Sequence, residues 1–128
     1  MIHSLEVVHL AGHDAVTTID GLSAILRERV IGGNHFEVAP DLTTYPLLTL
    51  MVSDDVAVLH YFASEHDAGS QSRGNLHGAP PAVSFRDPEG VVVTLPGAVA
   101  IDIVTAQRCV QEFAEHLTRP ALVDWLEL

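Results

Sequence analysis

Two apolar runs, 47–52 (LLTLMV) and 56–63 (VAVLHYFA), stand on either side of Ser53-Asp54-Asp55. Runs of this length, rich in β-branched and aromatic residues and joined by a turn-forming trio, specify a β-hairpin. In the second run Val56, Val58 and Phe62 face one way, and Ala57, Leu59, Tyr61 and Ala63 face the other. Both sets are apolar, so both faces of this strand need cover. A chain with such a strand is expected to place it at the centre of a sheet, with other elements stacked on its sides.

The remaining segments supply those elements. Residues 6–10 (EVVHL) read as a first strand, followed by Gly12 and a polar bend. Thr17 and Asp20 are spaced like a capping box, with Asp in place of Glu or Gln. Ile19, Leu22, Leu26 and Val30 then recur at helical spacing until Gly32-Gly33 stops the run, which predicts an amphipathic helix lying on the sheet. Residues 35–40 (HFEVAP) alternate as a strand. The stretch 65–81 (EHDAGSQSRGNLHGAPP) has no periodicity and reads as a long exposed loop; such a stretch in a compact domain is more often functional than not. Residues 82–86 (AVSFR) and 91–96 (VVVTLP) flank Asp87-Pro88-Glu89-Gly90 as a second hairpin. Ala106, Val110, Phe113 and Leu117 form one stripe of a final helix capped by Asp102 or Thr105. Pro120 ends it, and 122–128 finish as a strand with Val123, Trp125 and Glu127 on one face and Leu122, Asp124 and Leu126 on the other. At 128 residues the chain fits one domain, 1–128. The expected fold is α+β, a mainly antiparallel β-sheet with two amphipathic helices packed on it.

Charge narrows the partners. There are 17 Asp and Glu against six basic residues, all Arg, for a formal net charge of -11. Nucleic acid repels such a chain unless a basic patch is hidden in it, and no run of Arg supplies one. An acidic surface is suited to rapid capture of a basic partner, although it also simply keeps a protein in solution. No apolar run approaches the roughly 20 residues of a membrane-spanning helix. The opening MIHSLEVVHL has neither the basic region nor the apolar stretch of a secretion signal, so a cytoplasmic location is expected. Cys109 is the sole cysteine, which excludes an internal disulfide and a multi-Cys zinc site.

Catalytic patterns do not assemble along the sequence. The eight histidines include no H-E-x-x-H, and His3, His9 and His13 are spread along one strand and bend, so a metal site needs carboxylates from distant residues to complete it. His60, in the middle of its strand, reads as a satisfied core or interface histidine. His35-Phe36-Glu37 matches the H-x-E half of the zinc nucleobase deaminases, but the P-C-x-x-C half cannot exist with one Cys. There is no G-x-S-x-G elbow; Ser23 lies inside the first helix. Cys109 beside Val110 reads as a small buried hydrophobe. With no Lys, a phosphate loop of the G-x-x-x-x-G-K-[ST] type is excluded. Asp54-Asp55 and Glu65 with Asp67 read as solvated turn charges. The expectation is a binding protein without cofactor or metal, not an enzyme.

The closing stretch EFAEHLTRPALVDWLEL carries an amphipathic helix, then Arg119-Pro120, then a strand bearing Trp125-x-Glu127. With Phe113 on the helix, this order resembles the first-numbered family of immunity proteins from bacterial polymorphic toxin systems. The resemblance extends upstream through YPLLTLMVSDDVAVLHYF and a loop containing SRGN, and so covers roughly 20–128. It implies a cytoplasmic α+β antidote that binds and neutralises a cognate toxin, commonly one with a DNA-directed cytidine deaminase domain. Family members often carry Thr-Gly shortly before Arg-Pro, where this chain has His116-Leu117.

Such a toxin holds a phosphate backbone in a basic channel, and an inhibitor with surplus carboxylates can occupy that channel in place of nucleic acid. The expected contacts are Glu65, Asp67, Arg73 and Asn75 from the long loop, with Asp54, Asp55, Asp87 and Glu89 from the hairpin turns. Trp125 and Glu127 read more readily as packing for the last strand than as toxin contacts, and Arg119 as a partner of Glu127 or a cap for the helix end. Two other classes remain open. One is a small-molecule- or metal-binding α+β domain, enzymatic or not; the other is an oligomer formed by pairing of edge strands.

Overall fold

The computed structural model describes residues 2–128. Its elements are β1 (Leu5–His9), β2 (Gly12–Val16), α1 (Ile19–Leu26), β3 (Gly33–Pro40), β4 (Leu47–Ser53), β5 (Val56–Phe62), β6 (Ser70–Ser72), β7 (Ala82–Arg86), β8 (Val92–Pro96), β9 (Ile101–Asp102), α2 (Ile103–His116) and β10 (Trp125–Glu127). The main sheet is antiparallel with the order β10-β6-β5-β4-β3-β1-β2, and β9 pairs with the start of β5. The expected α+β architecture is what the chain adopts. The strand at the middle of this path is β4 rather than β5, although β5 pairs with β4, β6 and β9.

One face of the sheet carries the main core. Leu5 and Val7, Phe36 and Val38, Leu48, Leu50 and Val52, and Ala57, Leu59 and Tyr61 all point to this side. They meet Leu22 and Leu26 of α1 and Ala106, Cys109, Val110, Phe113 and Ala114 of α2. Strict alternation along each strand produces this, because successive side chains leave a strand on opposite faces. The other face of β4 and β5 has a smaller core, in which Met51 and Val58 are covered by Phe85 of the β7–β8 hairpin and by Val99 and Ala100. Both faces of β5 are therefore covered at Val58, as its composition demands.

Several local expectations are corrected. The polar bend after β1 is strand β2, paired residue for residue with β1 from Leu5↔Val16 to His9↔Gly12; its exposed side chains hide the strand from a hydrophobicity pattern. Helix α1 starts one residue later than its capping box suggests, with Thr18 as N-cap accepting from the Gly21 amide, and ends at Leu26. Val30 lies outside it, in an isolated bridge with Gly33. The long loop is not wholly exposed. Ser70 and Ser72 are buried in β6, and the Ser72 hydroxyl donates to the Val99 carbonyl while accepting from the Leu59 amide. Two small polar side chains satisfied in this way leave no apolar signature. At the end of this segment Gly74 passes against the carbonyls of Ala98 and Ala100, where a Cβ has no room. Helix α2 is capped by Asp102, whose carboxylate accepts from the Thr105 amide at 2.8 Å. It closes on Leu117 at φ 54, a left-handed position usually given to Gly.

Candidate functional site

The face of the sheet opposite the helices is covered in part, by the β7–β8 hairpin lying on β3 and β4 and by Val99 and Ala100 beside Val58. Beyond the hairpin, cross-strand pairing sets a polar row across the strands: His13 beside Val8, then Glu37, Thr49, His60, Gln71 and Leu126. Directly paired residues of antiparallel strands share a face, so this row lies on one side of the sheet, with Thr49 buried within it and its neighbours partly exposed. A shallow depression of about 180 Å³ lies beside it, lined by Glu6, Val8, Glu37, Ala39, Thr43, Thr44 and Leu47. Its make-up is two carboxylates over an apolar floor. His35 Nε2 sits 3.7 Å from Glu37 Oε1, and His60 Nε2 accepts from the Gln71 amide at 2.9 Å. Burial lowers the pKa of both His35 and His60; Asp87 opposes this at His35 and His60 adds to it. Both rings are accordingly held neutral by desolvation. His60 is thus a half-buried, satisfied histidine on an open face.

The eight residues expected from sequence do not converge. Asp54 and Asp55 occupy the β4–β5 turn, and Asp54 takes a left-handed φ of 51. Glu65 and Asp67 follow the other end of β5, about 23 Å away for seven residues at about 3.3 Å each. Asp54 borders a cleft of about 230 Å³ with Arg86 and Val92, beneath the hairpin that carries Asp87 and Glu89 at its tip. Three of the eight have structural duties. Asp67 accepts from the amides of Ala63 and Gly69, and those bonds hold its carboxyl below the usual range. Asp87 accepts from the amides of Glu89 and Val91 and so closes its own turn. Asn75 exchanges hydrogen bonds with Asp102, its Nδ2 donating to Oδ2 and its Oδ1 accepting from the backbone amide, and so fastens the long loop to the start of α2. Arg73 is exposed, its backbone amide bonded to the Asp124 carbonyl. Glu6 and Glu37, on the open face, were not among the eight. Their signal is the period-two alternation of β1 and β3.

The motif residues form a lock at the sheet edge. Phe113 is fully buried and meets Tyr61 edge-on at 6.3 Å; Tyr61 in turn meets Trp125 at 6.4 Å. The Trp125 indole donates to the Pro120 carbonyl at 2.7 Å. Arg119 lies 5.8 Å over the same ring, pairs with Glu127, and donates to the Ser70 hydroxyl at 3.1 Å. Pro120 is buried. Arg119, Trp125 and Glu127 thus tie β10 to β6 and to the segment after α2, while Phe113 joins α2 to Tyr61 of β5.

Chemical groups elsewhere are sparse. Cys109 is fully buried and desolvation pushes its thiol up to about 12, so it is inert as a nucleophile. Among the described residues, one cluster has the composition of a metal site: His9, Asp14 and Glu28. It joins one of the three spread histidines to two carboxylates.

The arrangement is that of an α+β domain with an acidic, partly uncovered sheet face. Comparison of the sequence with models of known protein families and with curated proteins finds no match. No helix among the described residues is long and apolar enough to cross a membrane.

Proposed function

We propose that this protein is an antidote that binds a toxin domain with a basic, nucleic-acid-directed working surface and neutralises it by covering that surface. The observation that carries this reading is the state of the acidic side chains. Of 17 carboxylates, the sole Arg–carboxylate ion pair among the described residues joins Arg119 to Glu127. Most of the charge is therefore not neutralised by Arg within the fold, although Asp67, Asp87 and Asp102 accept local hydrogen bonds. It faces solvent, where a field of one sign speeds encounter with the opposite sign and weakens with salt.

The open sheet face is the preferred contact region. Glu6 and Glu37 flank an apolar strip that includes Val8 and Leu47, the mixture of desolvated anchors and surrounding charge found at tight interfaces. Protection of a producing cell requires affinity on the order of nM, at least about -12 kcal/mol. Inhibition is steric and electrostatic, and a cytidine deaminase acting on DNA is the toxin class that the C-terminal motif order favours.

Co-expression with the toxin encoded beside this gene tests the reading. Restored growth and a stoichiometric complex are expected. An active neighbouring toxin that neither binds the protein nor is restrained by it overturns the proposal.

A further inference from the structure

We propose that His9, Asp14 and Glu28 form a binding site for a divalent transition metal of the zinc type. This is independent of the antidote reading. The site is built by the β1–β2 hairpin and the residue after the cap of α1. In the β1–β2 register Asp14 pairs with Val7, so Asp14 and His9 share the helix-facing side of the sheet. Glu28 reaches them because its backbone is pinned. Asn34, almost fully buried, donates from Nδ2 to the Glu28 carbonyl at 2.9 Å, while its Oδ1 accepts from the Leu10 amide at 3.1 Å. One asparagine thus fastens the end of α1 to the hairpin that carries the other two groups.

The geometry points to a cation. His9 Nε2 lies 2.8 Å from Asp14 Oδ2 and 3.8 Å from Glu28 Oε2, and the three candidate ligand atoms lie within 4.8 Å of one another. The His9 side chain is only 4% exposed and is aimed into the cluster from beside Phe36, whereas the carboxylates are about half exposed. One imidazole nitrogen carries at most one proton and satisfies one acceptor, yet two carboxylates approach it. A divalent ion satisfies all three groups and balances both negative charges. Tetrahedral coordination at about 2.0–2.2 Å sets ligand atoms about 3.3–3.5 Å apart. Asp14 then retreats by about half an ångström and Glu28 advances by a similar amount, both small movements for half-exposed side chains. The imidazole ligand favours zinc, cobalt or nickel over calcium or magnesium. The exposure of both carboxylates leaves the fourth position to water. Binding ties the edge hairpin to α1.

The test uses the full chain after chelator treatment, titrated with Co²⁺ and followed by visible absorption, with thermal unfolding recorded in Zn²⁺, Mg²⁺ and Ca²⁺. A single equivalent of Co²⁺ with tetrahedral-type absorption, and a rise in Tm with Zn²⁺ alone, are expected. Asp14→Asn and Glu28→Gln, both at half-exposed positions and checked for native circular dichroism, are each expected to weaken binding by about tenfold or more. His77→Asn and His116→Asn, at exposed histidines, leave it unchanged. Binding that survives Asp14→Asn and Glu28→Gln, or that is lost with the exposed histidines, overturns the site, as does a Tm indifferent to Zn²⁺.

Discussion

Replacing Trp125 with Ala separates a structural motif from a contact motif. The indole packs edge-on against Tyr61, lies beneath Arg119 and donates to the carbonyl of the buried Pro120. Truncating a fully buried Trp costs about 3–5 kcal/mol. Trp125 is only partly buried, which brings packing to about 2 kcal/mol, and an unpaired Pro120 carbonyl adds about 1 kcal/mol. The sum is about 3 kcal/mol, or about 10 °C in Tm for a domain of this size. Trp125→Phe keeps a ring against Tyr61 and loses only the N–H, for about 1 kcal/mol. Because Trp125 is the sole Trp, urea unfolding is best followed by far-UV circular dichroism. A Trp125→Ala protein within about 0.5 kcal/mol of the parent refutes the lock and makes the residue available for partner contact.

Asp102→Ala removes the cap of α2 together with its bonds to Thr105 and Asn75, and a loss of about 1–2 kcal/mol in urea unfolding is expected. His35 and His60 both have pKa values depressed below 6.5 by burial; the unfolded chain then binds more protons, so stability present above about pH 6.5 falls as pH drops towards the folded values. Urea unfolding between about pH 7.5 and 5 checks this, and stability that is flat or rises on acidification contradicts it. Cys109, buried and pushed up to about 12, should react with a thiol reagent only as fast as the protein opens; rapid labelling of the folded chain contradicts its core placement. If the antidote reading holds, Glu6→Gln with Glu37→Gln slows association with the toxin at low salt more than at physiological salt, as stopped-flow kinetics will show.

What the sequence discloses depends on whether an element owes its place to apolar period or to polar bonds. The β4–β5 hairpin, the β7–β8 hairpin and the α2 stripe from Ala106 to Phe113 are set by burial, and their pattern is plain in the chain. Strands β2 and β6 are not, because β2 is an edge with four exposed residues of five and β6 is held through Ser70 and Ser72. Helix α1 is overextended by a reading that counts Val30, since the spacing continues after the hydrogen bonding has stopped. The candidate sites divide similarly. The open-face row follows from alternation, but only the register shows that Glu37, Thr49 and His60 are neighbours. The convergence of His9, Asp14 and Glu28 depends on Asn34, whose role is a tertiary contact.

The acidic residues therefore fall into two populations, and this bears on partner binding. Asp67, Asp87 and Asp102 accept backbone amides in turns or at a helix start; their charge is spent on local geometry, and substituting them confounds stability with contact. Asp54, Asp55, Glu65 and Glu89 make no side-chain hydrogen bond among the described residues, and all four are exposed. Glu6 and Glu37 approach only His13 and His35, each at 3.7 Å. An exposed carboxylate without a cationic partner adds self-repulsion and little else to the folded state. At those six residues the fold has little need of charge. A surface that retains charge without structural need is the one from which a basic partner gains most, so contact mapping belongs on these six before Asp67, Asp87 and Asp102.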